Sequence, residues 1–330
     1  MPFNSFNSIA KLPKKTGVQP IRWIAVGQGG NSIAKSNDGI TWTGISNTLF
    51  SITGRKAAYG NGMWVAVGQC TTGSSSQNTI ASSSDGNTWT GHGSYVFTIS
   101  GFDVVYGNGM WVAAGQGGNT IASSPNGTTW TGRGSTILSS DGGGGVAYGN
   151  GRFVVCGGGG NTIATSTDGI NWAGQKNTFT SYCTGITYGN EKFIVCGAGG
   201  NVIATSSDGL SWSGQTSTNI NFGTGRGLAY GNGLFVVVSN GTTSNTIATS
   251  PNGITWTGRG INFFADSRGH GIAYGKDDAG NSLWVALGTP GTTSPANTIA
   301  TSSDGITWTG RGNRIFLNIA VGAAYNTSLG

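Results

Sequence analysis

Charge is scarce in this chain: 8% of its residues are Asp, Glu, Lys or Arg, against roughly a quarter in an ordinary globular protein. Glu191 is the sole glutamate, and His92 and His270 are the only histidines. A hydrolase built on a carboxylate pair, a His-rich metal centre and a Ser-His-Asp relay therefore have little to draw on. The four cysteines, Cys70, Cys156, Cys183 and Cys196, show no CxxC spacing, which argues against a zinc finger or a dithiol motif. No apolar run approaches the roughly 18 residues of a membrane span. The opening MPFNSFNSIAKLPKK has no secretory apolar stretch, so an intracellular protein with reduced thiols is the expectation.

What the chain has in excess is glycine, 62 of 330 residues. Glycine this dense disfavours helices, and it lacks the every-third-residue period of collagen. Disorder fits poorly beside 11 Trp, 13 Phe and 9 Tyr, which can bury a large core. An all-β protein with many tight turns remains.

Internal repeats give the architecture. NSIAKSNDGITWTG (31–44) returns near residues 78, 119, 161, 201, 245 and 297, making seven copies. Their tryptophans, Trp42, Trp89, Trp130, Trp172, Trp212, Trp256 and Trp308, lie 40–52 residues apart, the period of a four-stranded propeller blade. A second element alternates with the first, as in AYGNGMWVAVG (58–68) and AYGNGRFVVCG (147–157). Each unit reads as strands A to D. Asn-Gly marks most A–B turns, a Gly-rich stretch the B–C turn, and Asp-Gly or Asn-Gly the C–D turn, all dipeptides suited to tight hairpins. The C-terminal NIAVGAAYN (318–326) supplies a strand A with nothing after it, whereas RWIAVGQGGNSIAKSNDGITWTG (22–44) supplies B, C and D with no A. The expectation is a closed seven-bladed β-propeller over residues 20–330, all-β with four-stranded antiparallel blades, one of them completed by both termini. Residues 1–19, with Lys11, Lys14 and Lys15, read as a flexible basic arm.

The S-x-D-G-x-T-W core, as in Ser302, Asp304, Gly305, Thr307 and Trp308, resembles the Asp-box of sialidase-type propellers. The glycine-rich turn before it is similar to the repeat of photosystem-assembly propellers. Tandem units of this kind also resemble uncharacterised repeat proteins of large DNA viruses, which implies a possible place in a virion. Here one residue fewer separates Asp from Trp than in the usual box, and Asn126 and Asn252 replace Asp in two copies. The expected role of the box is structural: Asp or Asn caps a turn and Trp packs on strand D. Cys156 and Cys196 hold the same strand-B position in consecutive repeats. Packed sheets lie about 10 Å apart, too far for the 4.4–6.8 Å of a disulfide, so both are expected to be small buried residues without a bridge.

Propeller topology sorts the charges by face. The loops joining D to A, on the face called the top, receive Arg55, Lys56, Arg133, Lys176, Arg226, Arg259, Arg268, Arg311 and Arg314, against Asp103, Asp141 and Asp266. The opposite face collects Asp38, Asp85, Asp168, Asp208 and Asp304 in the C–D turns. The net charge of +6 thus resolves into a basic top and an acidic bottom. A ring of Arg55, His92, Arg133, Arg226, Arg259, His270 and Arg311 is the candidate binding surface, suited to phosphate, sulfate or carboxylate groups. Lys56 and Asp103 hold equivalent positions in adjacent repeats and are candidates to pair. Residues eight after each Trp, including Phe50, Phe97, Leu138, Ile220, Phe264 and Phe316, are expected to anchor the loops.

Sialidases of the family it resembles use a Tyr–Glu pair, an arginine triad and an acid Asp. Here the sole glutamate lies in an A–B turn, and PIRW (20–23) is not the arginine motif that opens such domains. GQGGN (27–31) joins two strands instead of preceding a helix, so nucleotide binding is not expected. The reading is an interaction module or scaffold without enzymatic activity, metal or cofactor, whose top face meets a protein partner or an acidic glycan. A lectin-like role is the alternative, kept alive by Tyr95, Tyr182, Phe222 and Phe263. Nucleic acid is expected only through the basic arm.

Overall fold

The computed structural model describes residues 20–46, 48–71, 77–138, 143–158, 161–175, 182–199, 202–215, 223–240, 245–260, 264, 268–290 and 296–329. The basic arm, Asp141, Lys176, Ile220, Phe222, Phe263 and Asp266 lie outside them.

Each repeat forms the antiparallel A–B–C–D meander that its turn chemistry requires. At the A–B turns Asn61, Asn108, Asn150, Asn190 and Asn232 take φ of 45–49°, followed by Gly62, Gly109, Gly151 and Gly233 at 69–75°. Both central residues are left-handed, the geometry that suits the twist of a two-residue hairpin. Glu191 occupies the second position in one turn at φ 59°, without glycine's freedom there.

The inner strands A are Thr53–Gly60, Phe97–Gly107, Gly143–Gly149, Tyr182–Gly189, Thr224–Gly231, Gly269–Lys276 and Ile319–Tyr325. Five four-stranded sheets form among the described residues, and two further repeats merge into one larger sheet through a single pairing of Gln69 with Ser100. Ile319–Tyr325 pairs with Trp23–Gln28, so the two ends of the chain complete one sheet. Each inner strand packs on the inner strand of the next repeat, and Ile319–Tyr325 packs on both Thr53–Gly60 and Gly269–Lys276. The molecule is an all-β propeller.

The core lies between neighbouring sheets. Strand B contributes Trp23, Trp64, Trp111, Phe153, Phe193, Phe235 and Trp284, all buried. Each tilts against the tyrosine of its own strand A with centroids 4.5–5.1 Å apart, a spacing favoured by aromatic quadrupoles. Gly107, which follows one such tyrosine, faces Tyr148 of the next repeat so closely that a Cβ would stand 2.2 Å from its ring. Close approach of inner strands thus accounts for glycine beyond the turns.

The Ser-x-Asp-Gly turns are closed units. Ser36 donates to Asp38, the Gly39 N–H donates to the Ser36 hydroxyl, and the N–H groups of Ile40 and Thr41 donate to Asp38 Oδ1 at 2.8 and 2.7 Å. Trp42 Nε1 donates to the Gly39 carbonyl at 3.1 Å. Asn126 makes the same two bonds to Thr128 and Thr129 through Oδ1 at 3.0 and 2.9 Å. A neutral side chain therefore does the capping work. The tryptophans sit at the end of the turn, one residue before the short strand D, instead of within it. Phe50, Phe97, Leu138, Phe264 and Phe316 are all buried, as expected for loop anchors.

One expectation fails in the core. Cys156 is not a lone buried thiol: it forms a disulfide with Cys183, whose Cα lies 5.5 Å away. Inter-sheet spacing was the wrong measure, because Cys183 stands on the inner strand of the next repeat, where backbones come close. In the other repeats the residue five before the inner-strand tyrosine is Gly54, Gly101, Gly143, Gly225, Gly269 or Ala320. A Cβ on Gly225 would meet Cys196 Cβ at 2.6 Å. A cysteine in a position otherwise reserved for glycine or alanine, opposite another cysteine, was the signal. Cys70 and Cys196 remain free and buried.

Candidate functional site

Every inner strand carries a β-bulge at one repeated position, four residues before its tyrosine. In chain order the bulged residues are Arg55, Phe102, Gly144, Thr184, Arg226, His270 and Val321. A bulge re-aims the side chain of its extra residue away from the ladder. All seven line one cavity of about 520 Å³ at the D–A end of the inner strands, within the usual size range of ligand sites. Tyr182 and Cys183 contribute to its rim.

Its electrostatics are lopsided. Arg55 Nη2 donates to Gln69 Oε1 at 2.6 Å, and its guanidinium lies 5.6 Å over the Phe102 ring, a cation–π arrangement. Its Nε is buried without a partner. Arg226 is oriented by Asn240, whose side-chain oxygen faces Nε at 3.2 Å and Nη2 at 2.9 Å. Burial, and then the charge of Arg226, lower the Arg55 pKa. The His270 imidazole, with Nε2 2.9 Å from the Thr289 hydroxyl, is pushed down to about 4 by burial and then by Arg226, Arg55 and Arg268. At neutral pH it is an uncharged ring between cations.

Asp103, expected on the solvated top face, is instead buried in an inner strand. Its Oδ1 accepts from Val104 N–H at 2.8 Å and its Oδ2 from Val146 N–H of the next repeat at 3.1 Å. Burial raises its pKa, opposed by Lys56 and these N–H bonds. Lys56 is thus its electrostatic neighbour, as its position suggested. This carboxyl lines the same cavity as the arginines and joins two repeats through its bonds to Val104 and Val146.

The seven candidate residues separate into two groups. Arg55, Arg226 and His270 converge on the cavity. His92, Arg133, Arg259 and Arg311 instead follow the outer strand D, each held by a strand-C hydroxyl. His92 Nε2 lies 2.7 Å from Ser82 Oγ, Arg133 Nε donates to Ser123 at 2.8 Å, Arg259 Nε to Thr249 at 2.9 Å and Arg311 Nε to Thr301 at 2.8 Å. Sequence gave both groups the same face but could not give their radius. Phe102, Thr184 and the bulges went unnoticed; alignment of strand A on its tyrosine would have found them. Tyr95 and Tyr182 are exposed, and only Tyr182 reaches the cavity. Among the described residues, no three His, Cys, Asp or Glu side chains gather in a metal-binding group, and no helix is long and apolar enough to cross a membrane.

No family model and no curated protein matches the chain. Solved structures do. A streptogramin B lyase aligns with a TM-score of 0.67 at 15% identity, covering 83% of this chain and 88% of its own. Virginiamycin B lyase from Staphylococcus aureus aligns at 0.64 and 13% identity, covering 88% and 94%. A chain of a nidogen/laminin complex aligns at 0.53 and 14%, covering 81% and 99%. The fold is that of β-propeller-type proteins. Likeness at this identity concerns fold alone, and these neighbours include both lyases and a protein-binding propeller. The expectation that the chain is not an enzyme is therefore corrected, since the architecture supports catalysis in other chains. That expectation rests on the scarcity of carboxylate pairs, of a Ser-His-Asp relay, of a metal centre and of the sialidase residues; a single uncharged histidine beside two arginines, as at His270, is a different kind of group.

Proposed function

We propose that the seven repeats close into one seven-bladed ring and that the chain is an interaction module whose central basin receives an acidic group of a protein partner. Closure is supported by the pairing of Ile319–Tyr325 with Trp23–Gln28 and by its packing on the inner strands to either side. The repeat is read as Asp-box-like on the strength of its capped Ser-x-Asp-Gly turn. The binding reading is carried by one observation: Arg55 and Arg226 lie at bulges lining the same cavity, and among the described residues the one acid lining it is buried and bonded to backbone N–H groups. Two guanidinium groups on one cavity, with no free acid beside them among the described residues, favour an incoming anion, and guanidinium suits carboxylate, sulfate and phosphate geometry.

An acidic glycan is the second reading. It is favoured by the exposed Tyr182 at the rim and by Phe102 beneath Arg55, which offer apolar faces next to the cations. One array distinguishes these partners. Sialylated and sulfated oligosaccharides, their neutral parents, and glutamate-rich peptides would be presented to the wild type and to the Arg55→Gln/Arg226→Gln double variant. Acid-dependent binding lost in the variant is the expected result. Equal binding to neutral and acidic ligands, or full retention in the variant, would overturn the proposal.

A further inference from the structure

The order of the bulged residues places His270 between the two arginines. Arg226 precedes it in the neighbouring repeat, and Arg55 follows after one intervening position, which is Val321. Val321 brings no charge or hydrogen-bonding side chain to that position, and all four residues line the same cavity. An anion that reaches both guanidinium groups shares the cavity with the imidazole on which both already act.

We propose that an anion entering this basin is bound together with one proton, which His270 takes up from the solvent. This rests on the anion-binding reading above and specifies how the site responds to pH. Without ligand, the charged groups acting on the imidazole among the described residues are positive: Arg226 and Arg55 on other inner strands, and Arg268 just before its own strand. The intervening Ile319–Tyr325 contributes no charge. The buried Asp103 carboxyl, with Lys56 beside it, lines the same cavity and is committed to Val104 and Val146. The Thr289 hydroxyl at Nε2 can accept from the ring in either protonation state.

A bound anion reverses the sign of the nearest charge. Burial and the cations hold the free imidazole at about 4. An anion in contact with both guanidinium groups offsets them and stabilises the imidazolium. The midpoint in the complex is therefore higher than in the free protein. By linkage, affinity is independent of pH above the midpoint of the complex, rises as pH falls below it by up to about tenfold per pH unit, and levels off below the free midpoint. The proton comes from buffer, and no other bond is made or broken.

The chain has two histidines, so their ring C–H resonances report the event directly. The probe is inorganic sulfate, which keeps its charge from pH 4 to 8, titrated into the full chain at constant ionic strength. His270→Gln assigns the signals. If that variant does not fold, His92→Gln assigns them instead. Saturating sulfate is expected to move the His270 midpoint up from about 4 by about one pH unit or more, to leave His92 in place, and to bind more tightly at pH 5 than at pH 7.5. Sulfate that shifts basin resonances in an Arg226-dependent manner while the His270 midpoint stays fixed would overturn proton coupling and leave the anion site standing. Sulfate that perturbs nothing in the basin would overturn both.

Discussion

The outer turns and the inner bulges of this propeller are each repeated seven times, and they treat repetition in opposite ways. In the turns the side chains recur with the backbone: Ser, Asp or Asn, Gly and Trp return in every copy. At the bulges the backbone recurs while the side chains diverge into Arg, Phe, Gly, Thr, Arg, His and Val. Side chains that repeat with their backbone make the fold, because each satisfies groups of its own turn. Side chains that vary on a constant backbone make one asymmetric basin from a symmetric frame. The outer group of His92, Arg133, Arg259 and Arg311 marks the boundary between these cases, since their partners are strand-C hydroxyls of the same sheet.

The largest effects are expected in the repeated framework. Trp130, 4% exposed, packs in a core cluster with Trp111 and Phe97. Trp130→Ala should cost about 3–5 kcal/mol, read from the midpoint of urea unfolding. A loss below about 1 kcal/mol would break the assignment of these tryptophans to structure. Opening the Cys156–Cys183 bridge should be nearly as costly, about 3–4 kcal/mol for a sequence separation of 27, seen as a lower Tm in reductant. Cys183→Ala should abolish that sensitivity to reductant.

The basin should respond in binding instead. Arg226→Gln is expected to weaken sulfate binding by about tenfold or more with little loss of stability, because it also relieves repulsion on Arg55. Acid sharpens the contrast in the other direction. Backbone N–H groups hold Asp85, Asp168 and Asp208 below the ordinary carboxylate value. At Asp38 and Asp304 burial opposes ionisation, yet the same N–H bonds prevail, and Asp304 falls to about 2. Folded values below the unfolded ones stabilise the protein above about pH 4, and this stability is lost as pH falls toward 2. Changing all five to Asn should flatten that acid slope. At neutral pH Asp304→Asn should cost about 1 kcal/mol, because Asn126 and Asn252 show that a neutral amide caps such turns but without the charge that the N–H groups stabilise. Glu191→Gly should be stabilising by roughly 0.5–1 kcal/mol, since only glycine takes that φ freely.

Sequence revealed the framework because its signals are local. Asn-Gly at 61–62, the Asp-Gly turns and the orphan strand A at 318–326 each state a backbone requirement within a few residues. The site was legible only in part. Arg55, Arg226 and His270 could be placed near the inner end of their loops. Their separation from Arg133, Arg259 and Arg311 depends on radius, which no spacing along the chain encodes. Asp103 was misplaced for the same reason: a residue at a loop's end can turn inward to bridge two repeats. The Cys156–Cys183 bridge joins different repeats, so comparison of like positions hid it.

The bulge arginines, and not the outer ones, are expected to take the ligand. The direct measurement is sulfate titration of Arg226→Gln beside Arg133→Gln, with affinity read by calorimetry at pH 5. The expected result is a loss of about tenfold or more in Arg226→Gln and wild-type affinity in Arg133→Gln. Equal losses in both, or a loss only in Arg133→Gln, would contradict it.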